Sequence, residues 1–362
     1  MSNFTPSNLV AGQAIFTQKF QSGEWRMPDT AVLAAMAYGE KANPFLAELR
    51  KREDRSVYAY LPIRRSKGSA VDRTYNHTGD RGDSAAVTLS WDSMVETFSI
   101  SIKQNDNNIM SFEENYAAQM QSCVYNLLER HETAKLAQLI ADRTEICKGR
   151  VQGTWDDTNF LMKINSGNAD KFFQNIRTGM KNNLFRNNIM VIADSLAYMN
   201  ADFASAQGQA NATNLGFQFN GMNIAMTTND IFSDYDGSAI AFPMEMAGIV
   251  PWIPKQNRKP LDPALAMSYV GDYGSFPVSV LDDKGNVAYT LDIAIHAYAQ
   301  RSDTSSSGTN TNGSKQDVTL EVELSLDMAY VSAPLSNLRA TGDFAGKTDS
   351  VVYGFGISPT II

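Results

Sequence analysis

The sequence is poor in the residues that most often carry catalytic or metal chemistry. Its 362 residues include two cysteines, Cys123 and Cys147, and three histidines, His77, His131 and His296, all far apart. There is no Cys-x-x-Cys, no His-Glu-x-x-His, no Gly-x-Ser-x-Gly and no phosphate loop. Gly354-Phe-Gly356 is followed by no third glycine. Asp234-Tyr-Asp236-Gly237 lacks the ligand spacing and later Glu of a calcium loop, so it reads as an acidic turn. These absences argue against an enzyme. No catalytic, cofactor-binding or metal site is expected, and no cofactor. Apolar runs stay short of the roughly 18 residues a membrane span requires. The first 20 residues lack the basic and apolar regions of a secretion signal, which points to a cytosolic setting. Both cysteines fall in one expected long helix, roughly 36 Å apart, too far for a disulfide.

Hydrophobic residues make up 43% of the chain and charged residues 19%, enough for a sizeable core. The net charge is −8, yet residues 41–81 hold ten Lys/Arg against five Asp/Glu, a local excess of +5. An acidic whole disfavours a tight sequence-specific nucleic-acid binder. The basic stretch, with Arg50, Lys51, Arg52 and Arg55 at its centre, suits contact with acidic surface on a neighbouring subunit. Loose contact with phosphates is the second reading.

Along the chain, residues 1–28 show no sustained period and read as an extended arm. Pro28-Asp29-Thr30 opens a short helix with Val32, Leu33, Met36 and Ala37 on one side, and Pro44 opens another ending near Arg52. A β-ribbon signal follows over Val57–Leu61, Ala70–Tyr75, Ala86–Trp91 and Glu96–Ile102. Phe98, Ile100 and Ile102 alternate with Thr97, Ser99 and Ser101. The loop 76–84 contains Arg81-Gly-Asp-Ser84, which reads as a turn-rich hairpin tip. A ribbon this long is marginal alone and requires something to lie on.

Ser111-Phe-Glu-Glu114 fits a capping box, and helix formers run to Lys148 with Gly149 as a C-terminal cap. The expected helix of about 37 residues would be roughly 55 Å long, as long as a compact chain of this size is wide. Met120, Leu127, Leu136, Leu139 and Ile140 form its apolar side, Gln138 sits on its polar side, and His131 takes a packing or helix-face role. Then come a helix over Ala169–Leu184, a buried strand over Asn188–Ala193 and a helix over Ser195–Ala206. A hairpin spans Leu215–Met226, turning at Asn220-Gly221. Ser238–Ile249 and Phe276–Val280 are further strand and helix material. Asp282–Asn286 is a turn before the strand Val287–Tyr298. Residues 301–317 read as an exposed loop, and Val318–Val331 alternates as a long strand expected to pack on the long helix.

This order of elements resembles the major capsid proteins of tailed bacteriophages, the Hong Kong 97-like fold. Val57–Ile102 resembles that family's extended loop, and Ser111–Lys148 its spine helix. Asn188–Ala193 with the hairpin at Asn214–Met226 resembles its axial-domain segment, and Val318–Pro334 its returning strand. The resemblance implies an α+β chain with an N-terminal arm, an extended β-ribbon loop, a long spine helix, and peripheral and axial domains. The implied division is 1–50 arm, 51–105 ribbon, 106–190 peripheral domain with spine, 191–285 axial domain, 286–335 return strands and 336–362 C-terminal segment. It implies a shell subunit that assembles with itself into hexamers and pentamers around a double-stranded DNA genome, located in the virion and assembled in the host cytoplasm. Portal, scaffolding or decoration proteins and non-specific contact with packaged DNA are the implied partners, with no membrane. The short start, with few charges over residues 1–28, implies a separate scaffolding protein or none, and no Lys–Asn cross-linking pair is identifiable. Encapsulin-type compartment shells share this fold and are the alternative, followed by another phage structural protein.

Overall fold

A computed structural model describes residues 5–22, 27–42, 44–62, 84–101, 110–147, 151–183, 185, 188–199, 218–219, 222–282, 285–302, 317–333 and 346–359. Among the described residues the chain is a mixed α+β structure built on two large sheets, a two-stranded ribbon and one long helix.

That helix, α4 (Phe112–Ala141, 30 residues), starts where the sequence places it. The Ser111 hydroxyl accepts from the Glu114 N–H at 3.3 Å, and the Glu114 carboxylate accepts from the Ser111 N–H at 3.2 Å. It stops seven residues before Lys148, so its length is about 45 Å rather than 55 Å. Tertiary pairing ends it. Asp142 accepts hydrogen bonds from the Tyr330 and Ser332 hydroxyls, and the N–H groups of Thr144 and Glu145 donate to Val352 and Thr348. Cys147 therefore lies beyond the helix, and Gly149 lies outside the described residues. Both cysteines are free thiols.

The first sheet is antiparallel and, among the described residues, contains five strands. They are β3 (Ser90–Ser101), β10 (Ala247–Trp252), β11 (Asp272–Leu281), β12 (Val287–Ser302) and β13 (Asp317–Ser332). β13 is its axis. One edge pairs with β3 from Tyr330↔Ser90 to Thr319↔Ser101. The other edge is shared: β12 takes residues 317–325 and β10 takes 327–332. Glu96–Ile102 was expected inside the ribbon, but residues 96–101 belong to this sheet. Burial there outweighs hairpin pairing: Phe98 and Ile100 face the core while Thr97 and Ser99 face out. The described ribbon is β1 (Tyr58–Pro62) against β2 (Ser84–Thr88), registered Pro62↔Ser84 to Tyr58↔Thr88. Ala70–Tyr75, residues 81–83 and most of the 301–317 loop lie outside the described residues.

Residues 6–22 are helical rather than extended: α1 (Pro6–Ser22) packs along α4. Its buried stripe is sparse, Leu9, Phe16 and Phe20, so a period count misses it. Gly12 lets the two helices approach, since a Cβ there would sit 2.8 Å from the Tyr116 ring. Phe16 meets Phe276 of β11 edge to face at 5.8 Å.

α2 (Ala31–Ala42) was expected to bury one side. Ala31 through Ala37 are all buried, because α2 lies against α4, β10, β11 and β12 at once and also touches the second sheet. A helix apolar all round is a helix enclosed all round. At Gly39 it comes so close to β10 that a Cβ would lie 2.3 Å from the Ala247 carbonyl. α3 (Pro44–Lys51) follows and rests on β10.

The second sheet has the order β4 (Gly153–Asp156), β5 (Leu161–Ile164), β14 (Tyr353–Ile357), β9 (Ser238–Pro243), β6 (Ile189–Asp194), β8 (Met222–Thr227), β7 (Gln218–Phe219). β6 is fully buried, as its unbroken apolar run predicts. Its alternate residues serve two cores. Met190 and Ile192 join the main one under α2, while Val191 and Ala193 join Phe172, Ile176 and Met180 of α5 (Phe172–Asn182). The expected Ala169–Leu184 helix is a 3-10 turn (Ser166–Lys171) running into α5, and residue 184 lies outside the described residues. Residues 195–199 are helical, β7 and β8 pair antiparallel as expected while the Asn220-Gly221 turn lies outside the described residues, and Ser238–Ile249 resolves into β9 and β10, one in each sheet.

Candidate functional site

No cluster of three or more His, Cys, Asp or Glu side chains poised for a metal occurs among the described residues, and no described helix is long and apolar enough to cross a membrane. The features that stand out are a buried polar seam beneath α4 and two exposed surfaces.

The seam holds the long helix to its neighbours. Even-numbered residues of β3 and β13 face α4, and Met120, Leu127, Leu136 and Leu139 are buried there, with Ile140 half-buried. Among them, His131 donates from Nε2 to the Leu326 carbonyl at 3.0 Å. Burial pushes this imidazole down to about 4, so it packs as a neutral ring. The Lys135 ammonium donates to Asp92 at 2.6 Å, to the Met328 carbonyl at 3.0 Å and to Gln138 at 3.1 Å. Gln138 in turn donates to Asp92 at 2.8 Å. Gln138 is thus a member of this network and not a residue of the polar side, where its spacing had placed it. Glu132 accepts from the N–H groups of Val32 and Leu33 at 2.7 and 2.9 Å, capping α2 from a different helix. Burial, resisted by these two donors, pushes its carboxyl up to about 8. Asp29 completes the cap through the Ala31 N–H and ties α2 to β8 through Thr227 and Thr228. Burial also raises both cysteine thiols to about 11, away from the thiolate.

The face of the first sheet away from α4 carries the first exposed surface. Tyr273 stacks on His296 across the strand pair, with centroids 4.2 Å apart and planes 10° from parallel, and His296 leans on Tyr298 at 5.2 Å. Opposite His296 and Tyr298 in register on β13 stand Glu323 and Glu321. Gly271, at φ +74°, turns the chain beside these rings and leaves Tyr269 at 62% and Val270 at 85% exposure.

The basic stretch forms the second surface, and it corrects an expectation. Arg50 pairs with Asp292 at 2.8 Å and donates to the Tyr289 hydroxyl, and Arg55 pairs with Asp327 at 2.6 Å over the Trp252 ring. Two of the four central cations are therefore matched within their own chain, because α3 ends over a sheet face whose alternate positions carry Asp292 and Asp327. The side chains of Lys51 and Arg52 remain exposed. Arg258 donates to the carbonyls of Lys51 and Arg52, and Arg50, Lys51 and Arg258 border a groove of about 480 Å³. Asp234–Gly237 is a backbone turn onto β14, with Asp236 N–H and Gly237 C=O both bonded to Ile357.

No family model matches this sequence, and no curated protein matches it. Among solved structures, the chain is similar to one from Mycobacterium phage Che8, with 10% identity over 91% of this chain and 92% of that one and a TM-score of 0.45. It is similar to the capsid structure of cyanophage P-SCSP1u, with 12% identity over 84% of each chain and a TM-score of 0.40. It is also similar to the mature capsid of bacteriophage PhiM1, with 12% identity over 85% of this chain and 84% of that one and a TM-score of 0.38.

Proposed function

We propose that this chain is the major capsid protein of a tailed bacteriophage, a non-catalytic subunit that closes with itself into an icosahedral shell of hexamers and pentamers around double-stranded DNA. The observation that carries the proposal is the ribbon. Among the described residues β1 and β2 form a ladder only with each other, and Val57, Tyr58 and Tyr60 are 58%, 50% and 61% exposed. A two-stranded ribbon displaying large apolar side chains is unstable as a free object in water and gains its stability from a neighbouring surface. The rigid body it leaves, α4 laid along β3 and β13, supports the same reading. So does the order arm, ribbon, spine, buried strand, hairpin and returning strand. The divisions 1–50, 51–105, 106–190, 191–285, 286–335 and 336–362 are proposed with it. Portal, scaffolding or decoration proteins and loose contact with packaged DNA belong to this proposal, as do residence in the virion and assembly in the host cytoplasm.

Negative-stain microscopy of the purified chain tests it. Closed shells are expected, and Tyr58→Ser with Tyr60→Ser should leave folded subunits that do not close. Wild-type protein that stays monomeric at every concentration contradicts the proposal. Nuclease-protected DNA in native particles separates a virion from an encapsulin-type compartment, which would hold protein cargo instead.

A further inference from the structure

The two exposed surfaces are complementary. One is a projection: Tyr269 and Val270 stand out at Gly271, backed by the Tyr273–His296–Tyr298 stack and flanked by Glu321 and the exposed Glu323. The other is a recess of about 480 Å³ with Trp252, Pro251 and Ile253 along it and three cations, Arg50, Lys51 and Arg258, against one carboxylate, Asp292. Asp292 is held by Arg50, so the recess keeps an excess of positive charge at Lys51 and Arg258. The projection is aromatic with an acidic flank, and the recess is partly apolar with a basic rim.

We infer that the 269–273 projection of one copy docks into the Trp252 recess of a second copy, with Glu323 and Glu321 set against Lys51 and Arg258. This rests on the reading of the chain as a shell subunit and names one of its contacts, separate from the ribbon. Two features single out a second copy as the occupant. The projection carries carboxylates beside its apolar centre and the recess carries cations beside its own, and complementary charges of this kind fix which surfaces meet. Both halves also reside on every copy, so the contact can repeat from subunit to subunit, as symmetric assembly requires. A centre of exposed aromatic and aliphatic side chains inside a charged rim is the usual anatomy of such contacts.

Sedimentation velocity of the full-length chain, read together with negative stain, tests the inference by charge exchange. Glu323→Lys and Lys51→Glu should each weaken association about tenfold or more, by placing like charges together, and the double variant should recover most of that loss. Val270→Asp should weaken association without lowering the thermal midpoint, since Val270 is exposed in the single chain. Single variants that associate as the wild type does, or a double variant no better than the weaker single, would overturn the contact. If those variants still close normal shells, the contact alone is wrong. If the wild type never associates, the shell reading falls with it.

Discussion

The Nζ of Lys135 lies 2.6 Å from Oδ2 of Asp92, and this pair joins the C-terminal third of the long helix to the start of the strand beneath it. The lysine side chain is wholly buried, while the aspartate keeps 28% of its exposure. Burial alone would lower the lysine's affinity for its proton, and the carboxylate opposes that fall.

Replacing Lys135 by Met removes the charge while keeping the length of the side chain. Asp92 then keeps Gln138 and water as partners, so the cost is smaller than for a sealed pair, about 1–3 kcal/mol. Urea unfolding followed by circular dichroism measures it. A variant more stable than the wild type would show that desolvating Lys135 outweighs its three hydrogen bonds.

Leu139 has no exposed surface in the core under α4. Leu139→Ala should cost about 2–5 kcal/mol and reduce soluble yield and shell formation together. Ala137→Glu, two residues earlier on the exposed side, should stay within about 0.5 kcal/mol. Equal thermal shifts for the two would mean that α4 is not packed as described.

Glu132 supplies a pH dependence with a definite sign. Its carboxyl stands near 8 in the folded chain against 4.5 ordinarily, so the folded chain holds a proton that the unfolded chain releases between those values. Stability from this group is therefore full below about pH 4.5 and falls as pH rises toward 8. Glu132→Gln keeps an acceptor for the α2 N–H groups and abolishes that fall. The stability difference, variant minus wild type, should grow from pH 5 to pH 8, and thermal melts across that range read it directly. A constant difference would place the titration elsewhere.

Much of this architecture could be read from residue patterns where one local rule governs. The capping box at Ser111, the unbroken apolar run of β6, the pairing of β7 with β8 and the alternation of Phe98 and Ile100 all depend on neighbours a few residues away. The failures have a common cause in distant partners. Helix formers continue past Ala141, but Asp142 to Glu145 are claimed by Tyr330, Ser332 and the strand segment near Val352. α1 buries three large residues against a helix a hundred positions later, and its spacing is too sparse to stand out. Gln138 looks polar by position, yet a charge on β3 recruits it. The aromatic projection depended on register: only the pairing of Tyr273 with His296 puts those rings together. The basic excess at 41–81 was visible as a number, but its partners Asp292 and Asp327 lay more than 200 residues away.

The pairing of β3 with β13 has a consequence for synthesis. Ser90 through Ser101 emerge from the ribosome about 220–240 residues before the strand that completes them. At typical elongation rates of about 5–20 residues per second, that is a wait of roughly 11–48 seconds. During it Phe98 and Ile100 have α4 to shelter against, but among the described strands β3 has no ladder partner at all. The central sheet can therefore close only once Asp317–Ser332 have been made. Until then the nascent chain offers a bare strand edge to every other chain being made beside it, which makes premature strand exchange between copies the characteristic hazard of producing this protein at high abundance.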